Sequence, residues 1–212
     1  MRTLNTDFYC RKATPADPVE KIAEYIHLTD PYIYPSICTS PNDIDWQNFI
    51  LDCTLIDNNV YNIKNIVLLF FRNEIIGIAC IIPCGKQLTI TENITVPDSL
   101  TLNMQSAING YFDPLIDESL SFSGYNIVNF CIDKQYRNQG LGNLLMEYCV
   151  REYGRQNIHL DVIASNSPAV ALYRKFGFCE TETYMGFSGD GFDIPCYHMI
   201  RFSDKKQLNN KL

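Results

Sequence analysis

Apolar positions along the chain repeat first at helical spacing. Val19, Ile22, Ala23 and Ile26, opened by Pro18 and Glu20, predict a helix over about 18–28. A proline-punctuated loop, "TDPYIYPS" (29–36), follows. "SPNDIDWQNFILDCTLI" then predicts a second helix, with Ser40 as N-cap, Pro41 as first residue, and Trp46, Phe49, Ile50 and Cys53 on one face. "NIVLLFF", "RNE" and "IIGIACIIP" together read as a β-hairpin over 66–83, and "QLTITENI" (87–94) as a third strand. The stretch 97–124 has no clear period: "SLTLNMQSAINGYF" is compatible with helix and "DPLIDESLSFSG" with loop.

The second half is more regular. "YNIVNFCI" (Tyr125–Ile132) reads as a strand. In "LGNLLMEYCVREYG" the residues Leu141, Leu144, Leu145, Tyr148 and Cys149 recur at helical spacing, and Gly154 supplies a stop. "IHLDVIA" (158–164) alternates Ile158, Leu160 and Val162 as a strand does. "SPAVALYRKFGF" predicts a short helix capped by Ser167, opened by Pro168 and ended by Gly177. After the turn-forming "SGDG" (188–191), "CYHMIRF" reads as the last strand, and 204–212 is a polar tail.

Composition narrows the classes. With 212 residues, 46% hydrophobic and 19% charged, the chain suits one globular domain. No apolar run approaches the roughly 20 residues that cross a bilayer, and the N-terminus lacks a signal-peptide core, so a cytoplasmic, membrane-free protein is expected. A net charge of −7 argues against nucleic acid as a partner and is compatible with a cationic substrate, although solubility alone explains it more simply. The nine cysteines form no C-x-x-C pair and there are three histidines, so no metal is expected and the thiols read as buried and inert in a reducing compartment.

The chemistry begins at "QYRNQGLGN", between a strand and a helix. A helix start carries free N–H groups and the positive end of the helix dipole, and glycines at 140 and 142 remove side chains that would keep an anion away. The loop therefore reads as an anion cradle to which Arg137 adds charge; the bland alternative is a tight turn that holds nothing. Gly142 is followed by Asn143 and Leu144 rather than Lys and Ser/Thr, which excludes a Walker loop, and Leu145 stands where a dinucleotide fingerprint has its third glycine.

"RNQGLG" resembles the R/Q-x-x-G-x-G/A signature of the GNAT superfamily of N-acetyltransferases. Twenty-four residues beyond Gly142 begins "NSPAVALYRKFGF", which is similar to that family's second signature at Asn166, Ala169, Leu172, Tyr173, Gly177 and Phe178. The resemblance is firm over 125–180, looser through the hairpin and the two N-terminal helices, and does not cover 97–124. It implies an α/β (α+β) fold: a mixed, mostly antiparallel twisted sheet flanked by helices, whose fourth and fifth strands are parallel and splay around acetyl-CoA. A single domain over 8–203 with a variable insert at 97–124 is then expected. The resemblance further implies that the pyrophosphate sits on Asn138, Gln139, Gly140, Leu141, Gly142 and Asn143, with Arg137 beside it. Ile132 falls where the family's backbone meets the pantetheine, and Asn166 would bind the coenzyme or its strand surroundings.

Acetyl transfer to an amine needs a neutral nucleophile, a stabilised oxyanion and a proton for the leaving thiolate. The resemblance assigns that proton to Tyr173, whose phenol, with an unperturbed pKa of about 10, is a donor at neutral pH; packing is its alternative role. The base is less evident. The fourth strand has Asn126 and Asn129 in place of a carboxylate, with Asp133 only at its end. Asp30, Asp117, Glu118 and His198 are other candidates, as is ordered water. Tyr32 and Tyr34 have the character of a pocket wall. Asp30, Tyr32, Tyr34, Glu118 and His198 are thus the expected acceptor-side residues. The expected activity is direct acetyl transfer from acetyl-CoA to a primary amine, with a small-molecule amine favoured over a protein or peptide amine. A non-catalytic acyl-CoA-binding regulatory domain and a longer-chain acyltransferase are the alternatives. The oligomeric state is open, a homodimer among the options.

Overall fold

The computed structural model describes residues 7–29, 46–85, 123–187 and 192–203. They contain seven strands: β1 (Phe8–Lys12), β2 (Ile66–Phe71), β3 (Glu74–Pro83), β4 (Tyr125–Ile132), β5 (Ile158–Ile163), β6 (Cys179–Phe187) and β7 (Phe192–Arg201). The helices among them are α1 (Val19–Thr29), α2 (Trp46–Leu55), α3 (Leu141–Tyr153) and α4 (Ser167–Lys175). One sheet runs in the order β1-β2-β3-β4-β5-β7-β6. Every neighbouring pair is antiparallel except β4 and β5, which are parallel. No helix among the described residues is long and apolar enough to cross a membrane.

Both faces of the central strands are covered, which is why β2 reads as an unbroken apolar run. Ile66, Leu68 and Phe70 turn to one face and meet Ile22, Ile26, Ile50 and Cys53 of α1 and α2. Val67 and Leu69 turn to the other and join the core built with Leu145, Met146 and Cys149 of α3 and Val170 and Tyr173 of α4. Of the expected stripe on α1, Ile22, Ala23 and Ile26 are fully buried and Val19 is half-buried, while Tyr25, which was not in it, is fully buried as well. None of the eight described cysteines forms a disulfide, and burial pushes the Cys10 and Cys53 thiols up to about 12, far from thiolate at neutral pH.

Several details differ from the sequence expectation. Strands β1 and β6 occupy the two sheet edges and were not evident from the pattern. β5 ends at Ile163, one residue early, and β7 begins at Phe192, well before "CYHMIRF". Asn166, not Ser167, caps α4: its side chain accepts the Ala169 N–H at 3.4 Å, and Ser167 is already helical. The expected start of the second helix at Ser40 and Pro41, the strand at 87–94, most of the insert at 97–124, the turn at 188–191 and the tail lie outside the described residues.

The feature that matters most for the site is where β4 and β5 part. Their ladder pairs Tyr125 with Ile158, Asn126 with His159 and Ile127 with Leu160, and stops there. On the other side of β4 the register with β3 jumps from Ile81↔Ile127 to Cys80↔Asn129, so Val128 is the extra residue of a β-bulge. Beyond it the two parallel strands diverge and leave a split in the sheet.

At the entrance to α1, Asp17 is nearly buried and gathers the Thr14 N–H at 2.8 Å, the Thr14 hydroxyl at 3.0 Å and a two-pronged contact from Arg11 at 2.7 and 2.5 Å. Chiefly the Arg11 hydrogen bond, helped by Thr14 and opposed by burial, lowers this carboxyl to about 2. Because the folded value lies below the unfolded one, the unfolded chain binds the extra proton. The stabilisation is therefore whole above pH of about 4 and is lost as pH falls toward 2. Asp17→Ala is expected to lower unfolding free energy by about 1–3 kcal/mol at pH 7. The gap to wild type should shrink in denaturant titrations below pH 4; a gap independent of pH would disprove the assignment.

Candidate active site

The first half of the site follows β4. Asp133 caps a turn of 3-10 helix (Lys134–Tyr136), its carboxylate accepting the Gln135 N–H at 2.9 Å. The Tyr25 hydroxyl of α1 lies 3.0 Å from the same carboxylate and 3.1 Å from the Ile75 carbonyl oxygen. Asp133 thus fastens the loop to α1.

Asn138 (φ 61°) and Gly140 (φ 84°) are both left-handed, the kind of backbone that turns successive N–H groups into an anion-binding nest. The N–H groups of 138–142 have no acceptor among the described residues. A Cβ on Gly140 would approach nothing closer than Asn143 Nδ2 at 3.9 Å, and one on Gly142 would make ordinary contact with Leu172 at 3.4 Å. Packing therefore does not demand Gly142, although a glycine inside a helix costs about 1 kcal/mol relative to alanine. The room above Gly140, in front of these N–H groups and the α3 dipole, fits a phosphate.

The neighbouring side chains are arranged around this loop. Arg137 Nε donates to the Ile132 carbonyl at 2.9 Å, so it ties the loop to the end of β4. Leu141 is buried and can offer a ligand only its backbone. Gln139 donates to the Gln135 carbonyl at 3.1 Å. Lys175 at the end of α4 donates to Asn143 Oδ1 at 2.5 Å, which adds a cation the sequence reading did not single out. Asn166 stands exposed at the start of α4.

Tyr173 lies on the α3 and α4 side of the sheet, its ring edge-on to Phe130 at 6.1 Å and tilted against Phe178 at 5.9 Å. Burial first, and the nearby Cys149 thiol second, push its phenol above the ordinary value. It is therefore a proton donor, not a phenolate, at neutral pH.

A second cluster occupies the opposite face. His159 and Asp161 alternate with Ile158, Leu160 and Val162, which pack toward α3 and α4, so they turn toward α1. Asp161 pairs in register with His198 of β7, and its Oδ1 lies 3.0 Å from His198 Nδ1. His198 Nε2 is 3.3 Å from His159 Nδ1, and His159 Nε2 is 3.3 Å from the Ser123 carbonyl. Both rings are nearly buried, whereas the Asp161 side chain keeps 22% exposure.

The donor in each histidine contact depends on the ring tautomer. The Ser123 oxygen can only accept, and the Asp161 carboxylate accepts from His198 when Nδ1 carries that ring's hydrogen.

Among the expected acceptor-side residues, His198 is thus placed in a buried chain, while Asp30, Tyr32, Tyr34, Asp117 and Glu118 lie outside the described residues. Sequence reasoning missed Asp161 and His159. The alternation of "IHLDVIA" was the available signal that they share a face; the β5–β7 register alone brings His198 onto it. Among the described residues no group of three His, Cys, Asp or Glu side chains is arranged to hold a metal ion.

Comparison with known proteins agrees with this geometry. A family profile described as "Acetyltransferase (GNAT) family" matches residues 34–178. The N-alpha-acetyltransferase of Saccharolobus solfataricus is 30% identical over 111 residues, 46% of this chain and 65% of that protein. The [ribosomal protein bS18]-alanine N-acetyltransferase of Escherichia coli K12 is 33% identical over 82 residues, 37% of this chain and 55% of its own length. The chain thus spans between about half and two thirds of the length of these curated relatives. A crystal structure of a GNAT family acetyltransferase from Elizabethkingia anophelis with acetyl-CoA bound superposes with a TM-score of 0.53 at 15% identity, covering 93% of this chain and 99% of that one. With its split parallel strands, its glycine loop and a profile match over most of its length, the chain belongs to the GNAT acetyltransferase family.

Proposed function

We propose that the chain is an N-acetyltransferase that moves the acetyl group of acetyl-CoA to a primary amine in a ternary complex, and that its acceptor is the α-amine of a polypeptide. One observation carries the reading: an open N–H nest and a protonated Tyr173 lie on one face of a split sheet, and an accessible carboxylate, Asp161, in contact with two buried histidines lies on the other. The names of the relatives, an N-alpha-acetyltransferase and a ribosomal-protein alanine acetyltransferase, support a polypeptide α-amine over the small-molecule amine expected from the sequence.

Residues 138–143 and Arg137 would hold the pyrophosphate through backbone N–H groups and charge, with Lys175 close by. When bound, acetyl-CoA supplies the thioester carbonyl carbon. Asp161, backed by His198 and His159, takes a proton from the amine as the N–C bond forms. Tyr173 gives its phenolic proton to the sulfur as the C–S bond breaks, and solvent exchange resets both groups. His198 and His159 act through Asp161 and are positioning residues.

The direct test incubates the chain with acetyl-CoA and a panel of free-amine tripeptide amides and small primary amines. Release of CoA thiol should coincide with a mass gain of one acetyl group on the peptides; acyl-CoA binding without transfer to any amine would reject the activity. Within an active system, Tyr173→Phe keeps the ring and removes the proton. It should lower kcat by about 10²-fold with little change in CoA affinity. Wild-type turnover would return Tyr173 to a packing role.

A further inference from the structure

Two amide side chains of β4 are buried with an oxygen left over. Asn126 is 6% and Asn129 7% exposed, and Oδ1 of each has no hydrogen-bond partner among the described residues. Buried acceptors in native proteins are nearly always paired, so two unpaired ones on a single strand call for a reason. Residues three apart on a regular strand face opposite ways. Here the bulge at Val128 cancels that: Asn126 and Asn129 stand opposite Ile82 and Cys80, both in the core on the α1 side. The two amides therefore share a face.

Their surroundings select what could pair with them. The Nδ2 of Asn129 donates to the Thr29 hydroxyl at the end of α1, at 2.5 Å, which fixes its NH₂ end and leaves its oxygen unmatched. Asn126 pairs across the parallel ladder with His159, and Asp161 is the next residue of β5 on the same face. Three oxygen acceptors thus lie on one face where β4 and β5 part.

We infer that Asn126, Asn129 and Asp161 form the recognition site for the primary ammonium group of the acceptor, an inference that rests on the acetyl-transfer reading above. A primary ammonium brings three N–H donors and a positive charge to three acceptors, one of them a carboxylate. A secondary amine, such as an N-methylated terminus, replaces one donor with carbon and leaves an oxygen unpaired. The acetylated product has a single N–H and no charge, so the same site releases it. Sites that hydrogen-bond a substrate group reject analogues that lack it. Asp161 then holds the ammonium; one of its protons leaves to solvent before attack, and Asp161 takes the second as the N–C bond forms.

The test is calorimetric titration of the full chain, saturated with CoA, with free-amine tripeptide amides and their Nα-methyl and Nα-acetyl forms. The free amines should bind, the methylated forms about tenfold more weakly, and the acetylated forms not measurably. Asn126→Leu and Asn129→Leu should each weaken free-amine binding about tenfold, while Asn126→Asp, which keeps an oxygen acceptor, should retain it. Equal affinity for free and acetylated peptides, failure of every free amine to bind wild type, or wild-type affinity in both Leu variants would overturn the site. Should the Leu variants fail to fold, the comparison of primary with methylated peptides on wild type decides alone. CoA-thiol release separates the two ideas. Ammonium binding without any transfer would overturn only the acetyltransferase activity; transfer with an unchanged peptide KM in folded Leu variants would overturn only the ammonium site.

Discussion

An Asp161→Asn chain is expected to turn over about 10³-fold more slowly than wild type, within the range of general-base effects, with acetyl-CoA affinity unchanged. The two side chains have the same shape, and the amide oxygen can still accept from His198 Nδ1, so the fold and the contact at 3.0 Å should persist. What is lost is the ability to take a proton. The residual rate should climb with pH toward the α-amine's own pKa of about 8, because a rising fraction of substrate then arrives already neutral. Turnover within threefold of wild type at pH 7 would show that Asp161 is not the base and that solvent does this work.

Gly140→Glu is expected to weaken CoA binding by at least 10²-fold without unfolding the chain. Its φ of 84° imposes a strain of about 1–2 kcal/mol on any other residue, and the new side chain would enter the space above the N–H nest with a negative charge. Gly177 supplies the control. It too is left-handed, at φ 85°, and a Cβ there meets nothing within 4 Å. Gly177→Glu should therefore show a similar fall in melting temperature and keep wild-type CoA affinity. Equal losses of CoA affinity in the two variants would mean that strain, not blockade, is being measured.

The parts that could be read from sequence are those written in adjacent residues. The glycine loop, Tyr173 and the strand pair around them sit in two short motifs, and the apolar runs of β2 and β3 announce strands covered on both faces. The edge strands are different. β1 carries Arg11 and Lys12 in five residues and β6 is mostly exposed beyond Cys179, so neither shows the apolar run or clean alternation that marks a covered strand. The cluster on the acceptor face escaped for a geometric reason. Asp161 and His198 are 37 residues apart and meet only through register. Asn126 and Asn129, at odd spacing, would fall on opposite faces were it not for one inserted residue, and no local pattern announces a bulge at Val128.

The split between β4 and β5 also divides what selection can change. In the function proposed above, coenzyme contacts lie in the loop and helix starts on one side, and acceptor contacts come from the opposite faces of β4, β5 and β7. Substitutions at 126, 129 or 161 leave the glycine loop intact, so acceptor preference can drift while coenzyme use stays fixed. A lineage built on this sheet can acquire new acceptors one face at a time, and the most recognisable stretches of its sequence then say least about which acceptor each descendant modifies.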